Sequence, residues 1–168
     1  FTITRQNLNQ ALSAVSASIP SKTTLPVLSN ILFEAREDKL QMSGTDLDVG
    51  VRIGVPADIV ESGSLTAPGK KLREITRELA DQPVEINTRG DQIELECGRS
   101  HFKLNGLPAA DFPALPEITF DGGWSAKGKD LLSLIRHTAF AVSTEESRPV
   151  LNGVLWELRD SEMRMVAT

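Results

Sequence analysis

The sequence predicts an α+β fold in which two helices pack against antiparallel sheets, and in which this arrangement recurs along the chain. Three observations lead to this prediction. Many short segments alternate between apolar and polar residues, as half-buried strands do. Two longer segments instead place apolar residues three and four positions apart, as amphipathic helices do. Residues 149–168 also resemble residues 26–45, which indicates a duplication.

The predicted elements follow one another in a simple order. A short strand over residues 1–4 leads into a helix over residues 5–18, whose apolar side carries Leu8, Leu12 and Val15. Four strands are predicted next, over residues 30–37, 39–45, 47–55 and 63–67. A second helix follows over residues 69–79, and three further strands complete the domain over residues 84–88, 92–97 and 101–105.

The second predicted helix is apolar on one side and cationic on the other. The apolar arc spans about 60° and consists of Leu72, Ile75 and Leu79. A similar arc on the opposite side consists of Lys70, Arg73 and Arg77, with Lys71 and two glutamates on the flanks. Two interpretations are open: a solvated face with Lys/Glu pairs, or a surface for an anionic partner. Arg73 and Arg77 lie four residues apart, where like charges destabilise a helix slightly.

Charge is unevenly distributed along the chain. The formal net charge is −5, which by itself argues against a nucleic-acid partner. However, the first acidic residue is Glu34, and Arg5 and Lys22 both precede it. A local cationic surface can therefore attract phosphate groups while the rest of the molecule repels them.

The duplication has an offset of 123 residues and the size of a domain. Eight of the twenty aligned positions in residues 26–45 and 149–168 are identical, and the same offset pairs Phe1 with Trp124. The Pro-rich residues 107–118 read as an extended linker. We therefore expect a complete first domain over residues 1–117 and the first part of a second domain over residues 118–168.

The sequence offers little catalytic chemistry. Cys97 alternates with its neighbours like a small strand residue, and a chain with one cysteine fits a reducing cytoplasm. His101 and His137 have no metal-ligand spacing. Asp46 and Asp48 flank a single residue and form the one acidic pair considered for a divalent ion. We therefore expect no enzyme, no cofactor and no metal site, and no apolar run is long enough to span a membrane.

Four stretches of the sequence carry a family resemblance. They are TLPVLSNILFEA at residues 24–35, GTDLDVGV at 44–51, GRSHFKLNGLPAADFP at 98–113 and RPVLNGVLWE at 148–157. These stretches resemble the β subunit of bacterial DNA polymerase III, the sliding clamp. The resemblance implies a DNA-clamp fold with three similar domains per subunit, two subunits forming a ring around duplex DNA, and a role in the processivity of the polymerase.

The resemblance also implies where DNA would be contacted. Clamp helices line the inside of the ring, so their cationic faces would meet the phosphate backbone without reading sequence. Lys22 matches the basic loop after the first helix, and Lys70 and Lys71 match the basic pair at the start of the second. Arg73 and Arg77 extend the same face by helical spacing. Lys129 and Arg136, seven residues apart, give the repeated helix a similar face.

Two further interfaces are implied by the resemblance. The strand within residues 98–106 would join a second clamp subunit in a homodimer, through Arg99, His101, Lys103 and Leu104. Arg99, His101 and Lys103 would pair with acids across the joint, and Leu104 would supply apolar contact. Leu151 and Thr168 match positions that line a groove for short peptide motifs of DNA polymerase and the clamp loader. The protein would then act in the cytoplasm, at the nucleoid.

Two alternatives remain at the level of sequence. One is an acidic α+β interaction module that does not bind DNA and whose second helix is merely solvated. The other is a metal-dependent enzyme that uses Asp46 and Asp48.

Overall fold

The computed structural model describes residues 1–119, 123–145, 147–159 and 162–168. These residues form two compact units, residues 1–116 and residues 117–168. The strands described are β1 (Thr2–Thr4), β2 (Asn30–Arg36), β3 (Lys39–Thr45), β4 (Gly50–Pro56), β5 (Gly63–Pro68), β6 (Pro83–Arg89), β7 (Gln92–Cys97), β8 (Ser100–Asn105), β9 (Leu155–Arg159) and β10 (Glu162–Val166). The α-helices described are α1 (Arg5–Val15), α2 (Gly69–Glu78) and α3 (Gly128–Thr138).

The first unit contains two four-stranded antiparallel sheets. One sheet has the order β1-β6-β7-β8 and the other has the order β4-β3-β2-β5. Residues of both sheets and of the two helices α1 and α2 form a single hydrophobic core. This arrangement confirms the predicted α+β fold with two helices packed against antiparallel sheets.

Helix α1 begins and packs as its sequence predicts. The hydroxyl of Thr4 accepts a hydrogen bond of 3.2 Å from the backbone N–H of Asn7, which satisfies one of the free N–H groups at the helix start. The predicted apolar residues Leu8, Leu12 and Val15 are fully buried. A short 3₁₀ turn over residues 16–18 follows, so the α-helix ends earlier than predicted.

Helix α2 buries one residue that its apolar pattern did not include. Leu72 and Leu79 are buried and Ile75 is partly buried, as predicted. Thr76 is also fully buried, and its hydroxyl donates a hydrogen bond of 2.7 Å to the carbonyl of Leu72. A threonine can occupy this core position because its one polar group is satisfied within the helix.

The strand predicted over residues 47–55 begins later than expected. Residues 46–49 form a turn, and β4 begins at Gly50. The carboxylate of Asp46 accepts hydrogen bonds from the N–H groups of Asp48 (3.0 Å) and Val49 (2.7 Å). Leu47 has a φ of 83°, a left-handed conformation that an extended strand excludes.

The first residues of the predicted extended linker pack against the first unit. Residues 109–111 form a 3₁₀ turn and Phe112 is buried. The hydroxyl of Thr66 on β5 accepts from the N–H of Leu107 (2.9 Å) and from the amide of Asn30 (2.8 Å), and it donates to the carbonyl of Leu107 (2.9 Å). This buried network fixes the direction in which the chain leaves β8.

The second unit contains α3 and the antiparallel strand pair β9–β10. Trp124 and Trp156 form an edge-to-face pair with ring centroids 5.5 Å apart. None of the described helices of the chain combines the length and the apolar character that crossing a membrane requires.

Candidate nucleic-acid interface

Helices α1 and α2 lie side by side and run in opposite directions. The guanidinium of Arg5, at the start of α1, donates hydrogen bonds to the carbonyls of Thr76 (3.5 Å) and Arg77 (2.8 Å), at the end of α2. At the opposite end, Ile19 follows α1 and lies against Gly69, the first residue of α2. A side chain at position 69 would collide with Ile19, so glycine permits this close approach.

The exposed side of α2 carries the four basic residues that the sequence singles out. We call Lys70, Lys71, Arg73 and Arg77 the α2 cationic face; all four side chains are exposed. The first turn of the helix contains no acidic residue, and the residue that precedes the helix, Pro68, makes no side-chain hydrogen bond to its free N–H groups. Lys70 and Lys71 therefore stand where the helix dipole already provides partial positive charge, which is an unfavourable place for a cation.

The α2 cationic face is not neutralised by ion pairs. Across the described part of the chain, all five ion pairs join residues on strands, such as Arg36 with Glu34 (2.8 Å). Glu74 and Glu78 of α2 are exposed and take part in none of them. The interpretation of α2 as a solvated face held together by Lys/Glu pairs therefore has no support in the geometry.

The other predicted DNA-contacting residues are exposed as well. Lys22 lies in the loop after α1 and lines a shallow depression together with Asp46. Because Ile19 contacts the start of α2, this loop leaves α1 at the end of the helix pair where Lys70 lies. In the second unit, Lys129 and Arg136 are exposed on α3.

Arg5 has a structural role that the sequence did not reveal. Its hydrogen bonds satisfy two carbonyls at the end of α2 that have no partner within the helix. Asn9 adds a third contact, from its side-chain amide to the carbonyl of Thr76 (3.3 Å). The only signal was a cation at the start of an otherwise uncharged helix, and its partner lies more than seventy residues away.

Asp46 has a structural role in its turn. The two N–H groups that bind its carboxylate, that of Val49 above all, lower the pKa of Asp46. Within the described ranges, no group of three or more histidine, cysteine or acidic residues could hold a metal ion. The carboxylate of Asp46 is thus engaged by the backbone of its own turn, and Asp48 contributes its backbone N–H to that turn.

Among the described strands, the predicted dimer strand β8 lies at the edge of its sheet and pairs with β7. Two of its basic residues are occupied within the chain: Lys103 contacts Glu94 (2.7 Å) and His101 contacts Glu96 (3.0 Å). The hydrogen bond from Lys103 lowers the pKa of Glu94. Any acids of a partner would therefore have to compete with Glu94 and Glu96, which sequence spacing alone did not indicate.

The remaining residues predicted for this edge differ in accessibility. Arg99 is exposed in the two-residue turn that joins β7 and β8. Leu104 is buried in the hydrophobic core with 8% of its surface exposed. Its side chain therefore offers a partner much less apolar contact than the sequence prediction assumed, since the core of its own unit takes it up.

The two residues predicted for a peptide groove lie in the second unit. Leu151 ends a 3₁₀ turn over residues 149–151 and is partly buried, and its carbonyl accepts a hydrogen bond of 3.0 Å from the N–H of Ser143. Thr168 follows β10 and is exposed.

Comparison with known families and structures gives a consistent result. A family described as DNA polymerase III beta subunit, N-terminal domain, matches residues 1–116, and one described as its central domain matches residues 126–168. The beta sliding clamps of Vibrio cholerae and Staphylococcus epidermidis are 36% and 34% identical to the whole chain. The chain spans about half the length of these relatives, 46% and 47% respectively.

A solved structure agrees with the sequence relatives. The crystal structure of the DnaN sliding clamp of Pseudomonas aeruginosa, bound to griselimycin, is 36% identical and has a TM-score of 0.93. It matches all of this chain, which covers 46% of the P. aeruginosa chain. These matches confirm the resemblance found in the sequence motifs, and the chain belongs to the DNA polymerase III beta subunit family, the bacterial beta sliding clamps.

Proposed function

We propose that this chain is part of a sliding clamp, a ring-shaped dimer that encircles duplex DNA and makes the replicative DNA polymerase processive. The observation that carries the proposal is the α2 cationic face, which is exposed and lacks ion pairs on a chain of clamp ancestry. The role is non-catalytic. Its setting is the cytoplasm, at the nucleoid.

The chemistry of the proposed contact is non-specific. Lysine and arginine side chains attract phosphate oxygens of any sequence, and each neutralised phosphate releases counterions. A ring holds DNA by its topology, so these contacts need only be weak, and weak contacts let the ring slide. The net charge of −5 discourages DNA from binding to the remaining surface.

The proposed organisation has one clamp domain over residues 1–117 and the beginning of the next over residues 118–168. The offset of 123 residues supports it, because α3 and the strand pair β9–β10 repeat α1 and the strand pair β2–β3. A closed ring would require further domains, as the greater length of the relatives suggests.

The test of DNA binding is a charge-reversed triple variant of the full-length protein, with Lys70, Arg73 and Arg77 changed to glutamate. Retention on circular duplex DNA after loading should fall, and the salt dependence of binding should flatten. With about 0.9 in slope per phosphate contact, three lost contacts would lower the slope by about 3 per subunit. Circular dichroism should remain unchanged because all three side chains are exposed.

The matched control reverses three exposed basic residues on strands, Lys39, Arg52 and Arg89, which changes the net charge equally. This control should retain DNA much better than the helix variant. Equal losses in both variants would mean that total charge matters and the α2 cationic face does not. Unchanged loading and salt slope in the helix variant would instead favour an interaction module that does not bind DNA.

The proposed partners follow the same logic. A second subunit would add to the free edge of β8, where β7 occupies only one side. Peptide motifs of the polymerase and the clamp loader would contact Leu151 and Thr168. Titration of a labelled clamp-binding peptide tests this: Leu151→Ala should weaken binding to the full-length protein, and unchanged affinity would place the groove elsewhere.

A further inference from the structure

The chain that follows β8 crosses one face of the sheet β4-β3-β2-β5. We call residues 107–116 the connector. At its start, Leu107 forms two hydrogen bonds with the hydroxyl of Thr66 on β5, one edge strand of that sheet. Near its end, a methyl of Leu115 would lie 2.9 Å from a Cβ added at Gly50 on β4, the other edge strand. The connector therefore spans the sheet from one edge to the other.

The face that the connector crosses is turned away from the hydrophobic core. Leu40 and Met42 of β3 lie in that core, so the alternation of the strand directs Ser43 and Thr45 to the opposite face. Thr45 lies directly opposite Gly50 and shares its face. Ser43 and Thr45 are nevertheless only 1% and 3% exposed. This second face of the sheet is therefore covered as well.

The connector contributes two apolar side chains to this cover. Phe112 lies between the two attachment points and is 7% exposed, although Asp111 and Ala114 beside it are exposed. Phe112 is not among the residues of the core that α1, α2 and both sheets share. Leu115 is partly buried where it meets Gly50. Two apolar residues three positions apart thus hold the connector in place.

The internal repeat relates this covered face to a site that is already proposed. The offset of 123 residues pairs Leu28 with Leu151 and Thr45 with Thr168, the two residues proposed to line a groove for partner peptides. In the first unit, Leu28 and Thr45 are both 3% exposed, and Leu115 lies against the strand neighbour of Thr45. The first unit therefore has the corresponding positions, but its own chain already covers them.

We propose that the connector is a built-in ligand of the first unit. It occupies the counterpart of the partner-peptide groove, and Phe112 and Leu115 take the place of the apolar side chains of a partner peptide. This assignment, which rests on the groove proposed for Leu151 and Thr168, means that only one of the two repeated units is open to partner peptides.

A tethered ligand excludes a free peptide through its high local concentration. A segment held beside its site by a short link has an effective concentration of about 1 mM. A free peptide of equal intrinsic affinity, present at about 1 µM, would therefore occupy about one such site in a thousand. Removing the apolar contacts of the connector should abolish this competition and open the site.

The test counts the peptides that each subunit of the full-length protein binds. In calorimetric titrations with a clamp-binding peptide, the unmodified protein should bind one peptide per subunit, and Leu151→Ala should weaken this site. Phe112→Ser combined with Leu115→Ser should open a second site that Leu151→Ala leaves unchanged. Ala114→Ser, at an exposed position of the connector, is the matched control and should leave a single site.

A second experiment supplies the connector as a separate molecule. A synthetic peptide of residues 107–116 should bind once per subunit to the protein that carries Phe112→Ser, Leu115→Ser and Leu151→Ala. The same peptide with Phe112→Ser should bind at least 10-fold more weakly. If the combined variant does not fold, Leu115→Ser alone decides, because Leu115 is partly exposed. The second site should then fill at a peptide concentration at least 10-fold below that needed with the unmodified protein.

The outcomes separate the built-in ligand from the groove on which it rests. If the unmodified protein binds no peptide, or if Leu151→Ala leaves its affinity unchanged, the proposed groove is wrong and the built-in ligand is rejected with it. If the unmodified protein binds one peptide that depends on Leu151, but the folded variants also bind only one, the built-in ligand alone is overturned. It is equally overturned if the synthetic peptide does not bind.

Discussion

Replacing Lys70 by glutamate should make the fold more stable and make the protein hold DNA less well. Lys70 lies in the first turn of α2, which has no acidic residue and no side-chain cap. One charge in this position contributes about 0.3–1 kcal/mol, so reversing its sign should raise the free energy of unfolding by about 1 kcal/mol. The new carboxylate would attract Arg73 and repel Glu74, and these two terms are of similar size.

The expected change is large enough to measure. An unfolding entropy of about 2.1 cal/mol/K per residue, applied to the 116 residues of the first unit, converts 1 kcal/mol into a rise in Tm of about 4 °C. Thermal unfolding followed by circular dichroism measures this rise, and added salt should reduce it because the dipole interaction is screened. Lys39→Glu, on β3 and remote from helix ends, is the control and should change stability by no more than about 0.5 kcal/mol.

DNA retention of the same variants completes the experiment. Lys70→Glu should lower DNA retention while raising Tm. Opposite effects on binding and stability are expected for a residue that serves binding at the expense of stability. A Tm that stays the same or falls would contradict the unfavourable dipole interaction assigned to Lys70, and its position would then need no functional explanation.

Three further outcomes follow from the structure. Arg5→Met should lower the free energy of unfolding by about 0.5–1.5 kcal/mol, measured in urea, because it removes the charged donor from the carbonyls at the end of α2; an unchanged midpoint would refute this capping role. Gly106→Ala should destabilise strongly, since its Cβ would collide with the carbonyl oxygen of Thr66, whereas alanine at Gly54, which has open space around it, should be mild. Asp46 has a lowered pKa, so its stabilising contribution is present above its unfolded pKa and is lost as the pH falls through the folded pKa. The difference in the free energy of unfolding between the unmodified protein and Asp46→Asn should therefore narrow below about pH 4. A difference that is constant with pH would contradict the conclusion that the N–H groups of Val49 and its neighbours stabilise the ionised carboxylate.

The sequence was most informative where local patterns determine structure. Period-two alternation located most strands to within two residues, and the apolar spacing identified the buried sides of α1 and α2. The alternating pattern failed over residues 47–49, because the carboxylate of Asp46 organises a turn there and Leu47 adopts a positive φ. Alternation cannot report a side chain that binds its own backbone.

Contacts between distant residues were the main omission. Arg5 caps α2 across 72 residues, and Thr66 binds Leu107 across 41. Neither contact changes the local pattern of apolar and polar residues. The first residues of the segment 107–118 were therefore predicted to be an extended linker, although they pack against the first unit. The exposure of the cationic residues was predictable, because a helix with one apolar side must turn its other side to water. The ion pairs of Lys103 and His101 with β7 depend on strand register, which the turn at Gly98 sets.

The pairing of β1 with β6 has a consequence for synthesis on the ribosome. Strands β2 to β5 form one sheet from residues 30–68, whereas the other sheet needs Thr2–Thr4 together with residues 83–105. At usual rates of translation, about 2–7 s pass between the emergence of residue 68 and that of residue 105. During this interval the first-made sheet has no opposing sheet to cover Phe33 and Leu65, so the nascent chain carries apolar surface that chaperones recognise and that can aggregate.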